Sequence, residues 1–227
     1  MSDEVLGFDH VTLPATARHV QPTGVLDVAL DEGACLLLEV SAEQAWPPVA
    51  EVASGLLAPA GGRVRIGGAD WAGLSADAAA GWRSRIGRVF MEQAWVSNLD
   101  VDENVTLARR HHTGQSPAAI AAEADQWARR FGLAGLPATR PAGTARPDLM
   151  KAQWVRALLG SPRLLLLERP TRDVPDSDGE LLLAAVQEQR ERGAAVVWVT
   201  GNERALERVA LDATVRWRFS GERWEER

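Results

Sequence analysis

The stretch LLLLERPTR, residues 164–172, limits what this chain can fold into more than any other. Four leucines in a row leave no polar face. A strand made of them has to be covered on both sides, as in a parallel sheet. Its neighbours agree. DGELLLAAVQEQRERG, 178–193, has helical spacing and ends on glycine, and AAVVWVT, 194–200, is a second apolar strand. Strand, helix and strand at this spacing make a βαβ unit. The first strand runs into Glu168 and Arg169. A buried strand that delivers acids to a nucleotide site has this shape, but an arginine cannot accept a proton from water.

The earlier part of the chain reads differently. EVLGFDHVTL (4–13), VLDVALDEGACLLLEV (25–40), GGRVRIGGAD (61–70) and RIGRVF (85–90) are short strand candidates set between glycines and prolines. SPAAIAAEADQWARRFG has Ser116 as N-cap, Pro117 at the first helical position and Gly132 as its stop. DLMKAQWVRALLG predicts a helix over 148–160, and LPATRPAGTARP, 136–147, reads as a long surface loop.

A 227-residue chain with 46% hydrophobic residues is long enough for one domain with a subdomain. No apolar run approaches the roughly 20 residues that cross a bilayer, and the acidic start MSDEVLGFDH is no signal peptide. The net charge of −6 argues against a nucleic-acid partner. Cys35, the single cysteine, reads as a buried reduced thiol. One lysine, Lys151, stands among 25 basic residues; there is no tyrosine, and no histidine follows His112.

In order and spacing these pieces resemble the nucleotide-binding domain of ABC transporters over nearly the whole chain. LDVALDEGACLLLEV resembles the strand pair before the phosphate loop, and RIGRVFMEQAWVSNLDVDENVTL the segment with the Gln loop and the start of the helical subdomain. VRALLGSPRLLLLERPTRDVPD resembles the helix after the signature motif, then Walker B and the D-loop. The resemblance implies an α/β P-loop NTPase fold of three layers. It would have an N-terminal antiparallel β-subdomain and a helical subdomain inserted at approximately 95–160, all within a single domain over 1–227.

The same resemblance exposes substitutions at each chemical station. A P-loop reads G-x-x-x-x-G-K-[ST]: its N–H groups and lysine hold phosphates and its hydroxyl holds Mg²⁺. The matching stretch VSAEQAWP has Val40 and Ala45 for the glycines, Trp46 for the lysine and Pro47 for the hydroxyl residue, with Pro48 next. Prolines have no N–H to offer. Lys151 lies in LMKAQ, with no glycine before it and no hydroxyl residue after it. At Walker B, Glu168 takes the place of the aspartate and Arg169 that of the catalytic glutamate, a charge reversal. Arg169 reads either as a solvated strand-end arginine or as an internal cation, paired with Glu168 or seated in the vacant cation site. Met91 stands at the Gln-loop position, TARPD (144–148) at the signature, Val174–Pro175 at the D-loop and Gly201 at the switch histidine.

Other constellations carry less. One cysteine and scattered histidines give no metal spacing, and His111 with His112 reads as a solvated helix end. Trp127, Trp154 and Trp198 read as core. Trp46 reads as a plug for the phosphate cradle, and Trp95 with Val96 falls where family members meet their membrane partner.

The resulting expectation is a degenerate ABC subunit that does not hydrolyse ATP and carries no cofactor or metal. It would be structural or regulatory beside a transmembrane permease, paired with itself or with an active ATPase subunit. It would lie in the cytoplasm at the inner membrane, with lipid transport of the Mla/Mce type as the subfamily reading. The alternative is a divergent ABC ATPase that still binds ATP and Mg and powers transport. A third reading is a soluble protein that reuses the fold.

Overall fold

The computed structural model describes residues 3–16, 23–40, 46–92, 94–201, 213–220 and 223–227. Among them, the chain begins with β1 (Glu4–Thr12), β2 (Leu26–Asp31) and β3 (Cys35–Val40), then the short helix α1 (Val49–Ala53). Next come β4 (Gly61–Ile66), β5 (Ala69–Asp70), α2 (Ala76–Arg83) and β6 (Ile86–Val89). Three helices follow, α3 (Val101–His112), α4 (Pro117–Arg130) and α5 (Arg146–Leu158). The chain closes with β7 (Leu164–Glu168), α6 (Asp176–Glu191), β8 (Ala195–Thr200), β9 (Val215–Phe219) and β10 (Trp224–Glu226).

The strands form two sheets. An antiparallel sheet has the order β2-β1-β4-β5, and a six-stranded sheet the order β10-β9-β3-β8-β7-β6. In the second, β9, β3, β8, β7 and β6 run parallel, and β10 pairs antiparallel at one edge. Side chains alternate across a strand, and here the alternation divides two cores. Cys35, Leu37, Leu165, Leu167, Val196 and Trp198 face α3 to α6, while Leu36, Leu38, Leu164, Leu166, Val197 and Val199 face α1 and the antiparallel sheet. Helices, parallel sheet and antiparallel sheet are thus the three layers.

Local chemistry sets the helix ends. Ser116 accepts a hydrogen bond from Ala119 N, Pro117 opens α4, and Gly132 follows its end at φ +77°. α3 begins with a capping box in which the Asp100 side chain receives a backbone N–H and Glu103 returns to Asp100 N. Its last residues, His111 and His112, are exposed. Gly87 in β6 fixes where α5 sits: a Cβ there would lie 1.8 Å from Ala157 O, so only glycine admits the α5 backbone at this distance.

Three sequence expectations are corrected. The stretch 136–147 is not all loop: Pro141–Gly143 forms a 3₁₀ turn, and α5 starts at Arg146 with Pro147 in its first turn. The helix expected at 178–193 runs two residues earlier, from Asp176 to Glu191, with Pro175 as its N-cap residue. α2, β9 and β10 carry weak patterns in the sequence: α2 is alanine-rich with only Ala79 buried, and β9 alternates arginine with apolar residues. Trp154 and Trp198 are buried as core, whereas Trp127 is half-buried and stacks on Phe131 at 5.8 Å.

Candidate functional site: a carboxylate closed by an internal cation

Alternation within β7 places Glu168 on the side of Leu164 and Leu166, towards α1. Alternation within β6 places Arg88 on the same side, because Val89 belongs to the opposite core. In the parallel register Arg88 pairs with Leu166, so Glu168 is its diagonal neighbour, two residues further along that face. Trp46 reaches the same point from just before α1, and the two buried prolines that follow it, Pro47 and Pro48, restrict the chain between it and the helix.

The contacts form a chain. Trp46 Nε1 donates to Glu168 Oε1 at 3.3 Å. Arg88 donates to Glu168 Oε2 from Nε at 3.1 Å and from Nη2 at 2.8 Å. The same Nη2 also meets Glu51 Oε1, on α1. Glu168 is 3% exposed, and both its oxygens are engaged. Burial pushes its carboxyl above the usual carboxylate range, with Arg88 pulling the other way. For Arg88, burial opposes the charge, but Glu168 and Glu51 more than offset it and raise the guanidinium further.

Arg169 does something else, which corrects one of the sequence expectations. It does not form the pair with Glu168; Arg88 does. Its guanidinium lies over the Trp46 indole, 4.5 Å from the ring centroid. Its backbone adopts φ +44°, a left-handed conformation, and its N–H donates to Val199 O at 2.9 Å. That turn carries the side chain away from Glu168 and onto the indole. Partial burial, then nearby Arg172, lower its pKa.

A cavity of about 500 Å³ opens beside this cluster, lined by Trp46, Glu51, Arg88, Phe90, Met91 and Glu168 among others. The structure therefore brings Trp46, Met91, Glu168 and Arg169 together. Val40 is buried at the end of β3, Pro47 is buried behind Trp46, and Gly201 is half-buried just after β8. Ala45 lies outside the described residues, as do Glu43 and Gln93. Lys151 is on α5 and pairs with Asp178 of α6 at 2.8 Å. TARPD is the start of α5, where Ala145 makes no side-chain cap. Val96 is 43% exposed, while Trp95 packs against the helical core under Arg156, 4.5 Å from its ring.

Sequence reasoning missed Arg88, Glu51, Phe90 and Arg156. A signal was present in RIGRVF: its alternation puts Ile86, Arg88 and Phe90 on one face, and an arginine inside a sheet strand calls for a partner. The partner itself follows from the pairing register, which the sequence does not carry.

This architecture is that of ATP-binding cassettes. Its likeness to a dimeric ATP-binding cassette bound to ADP and phosphate after hydrolysis has a TM-score of 0.83 at 19% identity, over 98% of each chain.

Sequence relatives narrow the class. The chain is 31% identical over 152 residues to the lipoprotein-releasing system ATP-binding protein LolD of Anaeromyxobacter dehalogenans, covering 66% of this chain and 64% of that one. It is 24% identical over 211 residues to the macrolide export ATP-binding/permease protein MacB of Bradyrhizobium diazoefficiens, covering 92% of this chain and 32% of that protein. A third match, at 27% identity, is the ribose import ATP-binding protein RbsA of Rhodopirellula baltica, of which 26% is spanned. No protein-family model matches the chain. Each of these relatives is an ATP-binding protein of a release, export or import system, and the chain, similar to all three, spans 64% or less of their lengths. Among the described residues no helix is long and apolar enough to cross a membrane.

Proposed function

We propose that this chain is an ABC-type cassette that does not turn over ATP and that serves a transmembrane permease as a structural or regulatory subunit. The observation that carries the reading is the state of Glu168. A carboxylate that assists a metal ion must leave an oxygen open to it or to its water. Here one oxygen receives the Trp46 indole and the other the Arg88 guanidinium. A divalent cation at this carboxylate would face the Arg88 charge directly. The link from β3 to α1 contains no lysine to neutralise phosphates, and Pro47 and Pro48 offer no N–H to bind them. The residues present do not fit Mg-ATP.

In this proposal Val40, Ala45, Trp46 and Pro47 stand at the former phosphate loop, Met91 at the Gln loop, Glu168 and Arg169 at Walker B, and Gly201 at the switch. Residues 95–160 form the helical subdomain of a single domain over 1–227. Losing base, lysine and switch together removes several powers of ten each in rate, which leaves no turnover. The chain works beside its permease at the cytoplasmic face of the inner membrane, paired with itself or with an active ATPase subunit. Cargo of a lipid class is the narrower part of the proposal; support comes from the name of the lipoprotein-releasing relative.

Hydrolysis of ATP by the purified chain, measured with and without a co-expressed permease, tests the reading. The expected outcome is no phosphate release above buffer in either case. Turnover on the order of 1 per second, an ordinary enzymatic rate, that is abolished by Glu168→Gln contradicts it.

A further inference from the structure

A second cluster shares Phe90 and Ala94 with the cavity, and its chemistry is the reverse of the first. Arg156 projects from α5, which Gly87 holds tight against β6. Its guanidinium packs on the Phe90 ring at 5.0 Å and on the Trp95 ring at 4.5 Å. It donates from Nη1 to Ala94 O at 2.9 Å and from Nη2 to Gln153 Oε1 at 3.4 Å. Those partners are neutral. Among the described residues no carboxylate lies within ion-pair distance of Arg156, and burial together with the charge of Arg88 lowers its pKa to about 10.

The cluster also holds donors that meet nothing. Among the described residues, Arg156 Nε, Trp95 Nε1 and Gln153 Nε2 are all buried and without an acceptor. Gln153 is completely buried, and its orientation is fixed because Phe90 N donates to its Oε1 at 3.1 Å. Turning the amide over would set donor against donor. Buried donors are nearly always satisfied, so several together beside an unbalanced cation call for an anion. The unbalanced charge is a single positive one, and the neighbouring cluster presents Glu51 and Glu168 to Arg88. A monoanion balances Arg156, whereas a multiply charged phosphate would meet those acids. A carboxylate is planar, singly charged and matched to the arginine fork.

We propose that Arg156, Trp95 and Gln153 form a binding site for a carboxylate, carried by a small molecule or by an acidic side chain. The site stands apart from the reading of the nucleotide cluster and holds whether or not the chain turns over ATP.

The nine tryptophan indole N–H signals provide the readout in a ¹⁵N–¹H correlation spectrum, with Trp95→Phe assigning the Trp95 signal. Sodium acetate and an acetylated, amidated tetraglutamate peptide are titrated separately, against sodium chloride at matched ionic strength. A saturable shift of the Trp95 signal with either probe, weakened at least tenfold by Arg156→Gln, supports the site. Arg156→Lys, which keeps the charge but lacks the Nε donor, is expected to weaken it as well and serves if the glutamine variant does not fold. Tighter acetate binding assigns the site to a small carboxylate, and tighter peptide binding to an acidic side chain. No saturable shift with either probe, or a shift that the arginine variants leave unchanged, overturns the proposal.

Discussion

Arg88 and Arg156 pack on the same phenyl ring, at 4.5 and 5.0 Å, yet their surroundings are opposite. Arg88 faces two carboxylates and is raised in pKa; Arg156 faces carbonyls, indole and another guanidinium, and is lowered. The first cation closes a site from within. The second leaves charge and donors unanswered. In a low-dielectric setting a compensated cation holds elements together, while an uncompensated one is a demand for a ligand.

Removing one side of a compensated pair is the harshest test of this contrast. Arg88→Met leaves Glu168 buried without its cation and is expected to cost about 3–5 kcal/mol in urea unfolding. Arg88→Met combined with Glu168→Leu removes both charges and should return to within about 1 kcal/mol of the parent. Arg156→Met, which keeps the stem on the two rings, should cost less than about 1 kcal/mol. Equal losses for the two single arginine variants would erase the distinction.

The pH dependence of stability sharpens it next. The native Glu168 carboxyl sits above the unfolded value of about 4.3, so the native state binds more protons between the two values. Its contribution is therefore full below about pH 4.3 and is lost as pH rises through the native value, at no more than about 1.4 kcal/mol per pH unit. Glu168→Gln cannot ionise, and the difference between parent and variant isolates this slope from other groups. A difference that grows with rising pH would reverse the sign and place the native carboxyl below its unfolded value.

Smaller effects separate the two neighbours of Glu168. Trp46→Phe keeps the ring and deletes the 3.3 Å hydrogen bond, at an expected cost of about 1 kcal/mol. Arg169→Ala removes only the stacking over Trp46 and should cost about 0.5–1 kcal/mol. A loss of several kcal/mol at Arg169 would mean that it, rather than Arg88, compensates Glu168.

The framework was legible in the sequence where one signal acted alone. Apolar runs at 35–40, 164–168 and 195–200 became the centre of the parallel sheet, and Ser116, Pro117 and Gly132 bounded α4. The site was legible only in part. Glu168 and Trp46 stood out because the resemblance assigned them stations. Arg88 did not, since its partner is set by the register between β6 and β7, and register is a property of two strands. The Arg156 cluster depends in turn on the Gly87 contact with α5, a tertiary approach that a lone glycine in a strand pattern hints at without naming its cause.

Calorimetric titration of the purified chain with Mg-ATP bears most directly on the closed state of Glu168. No saturable heat is expected up to millimolar nucleotide, and none after Trp46→Ala, because Arg88 still occupies the carboxylate. Saturable binding of one nucleotide per chain with a Kd of roughly 1 μM, equivalent to about 8 kcal/mol, would contradict it.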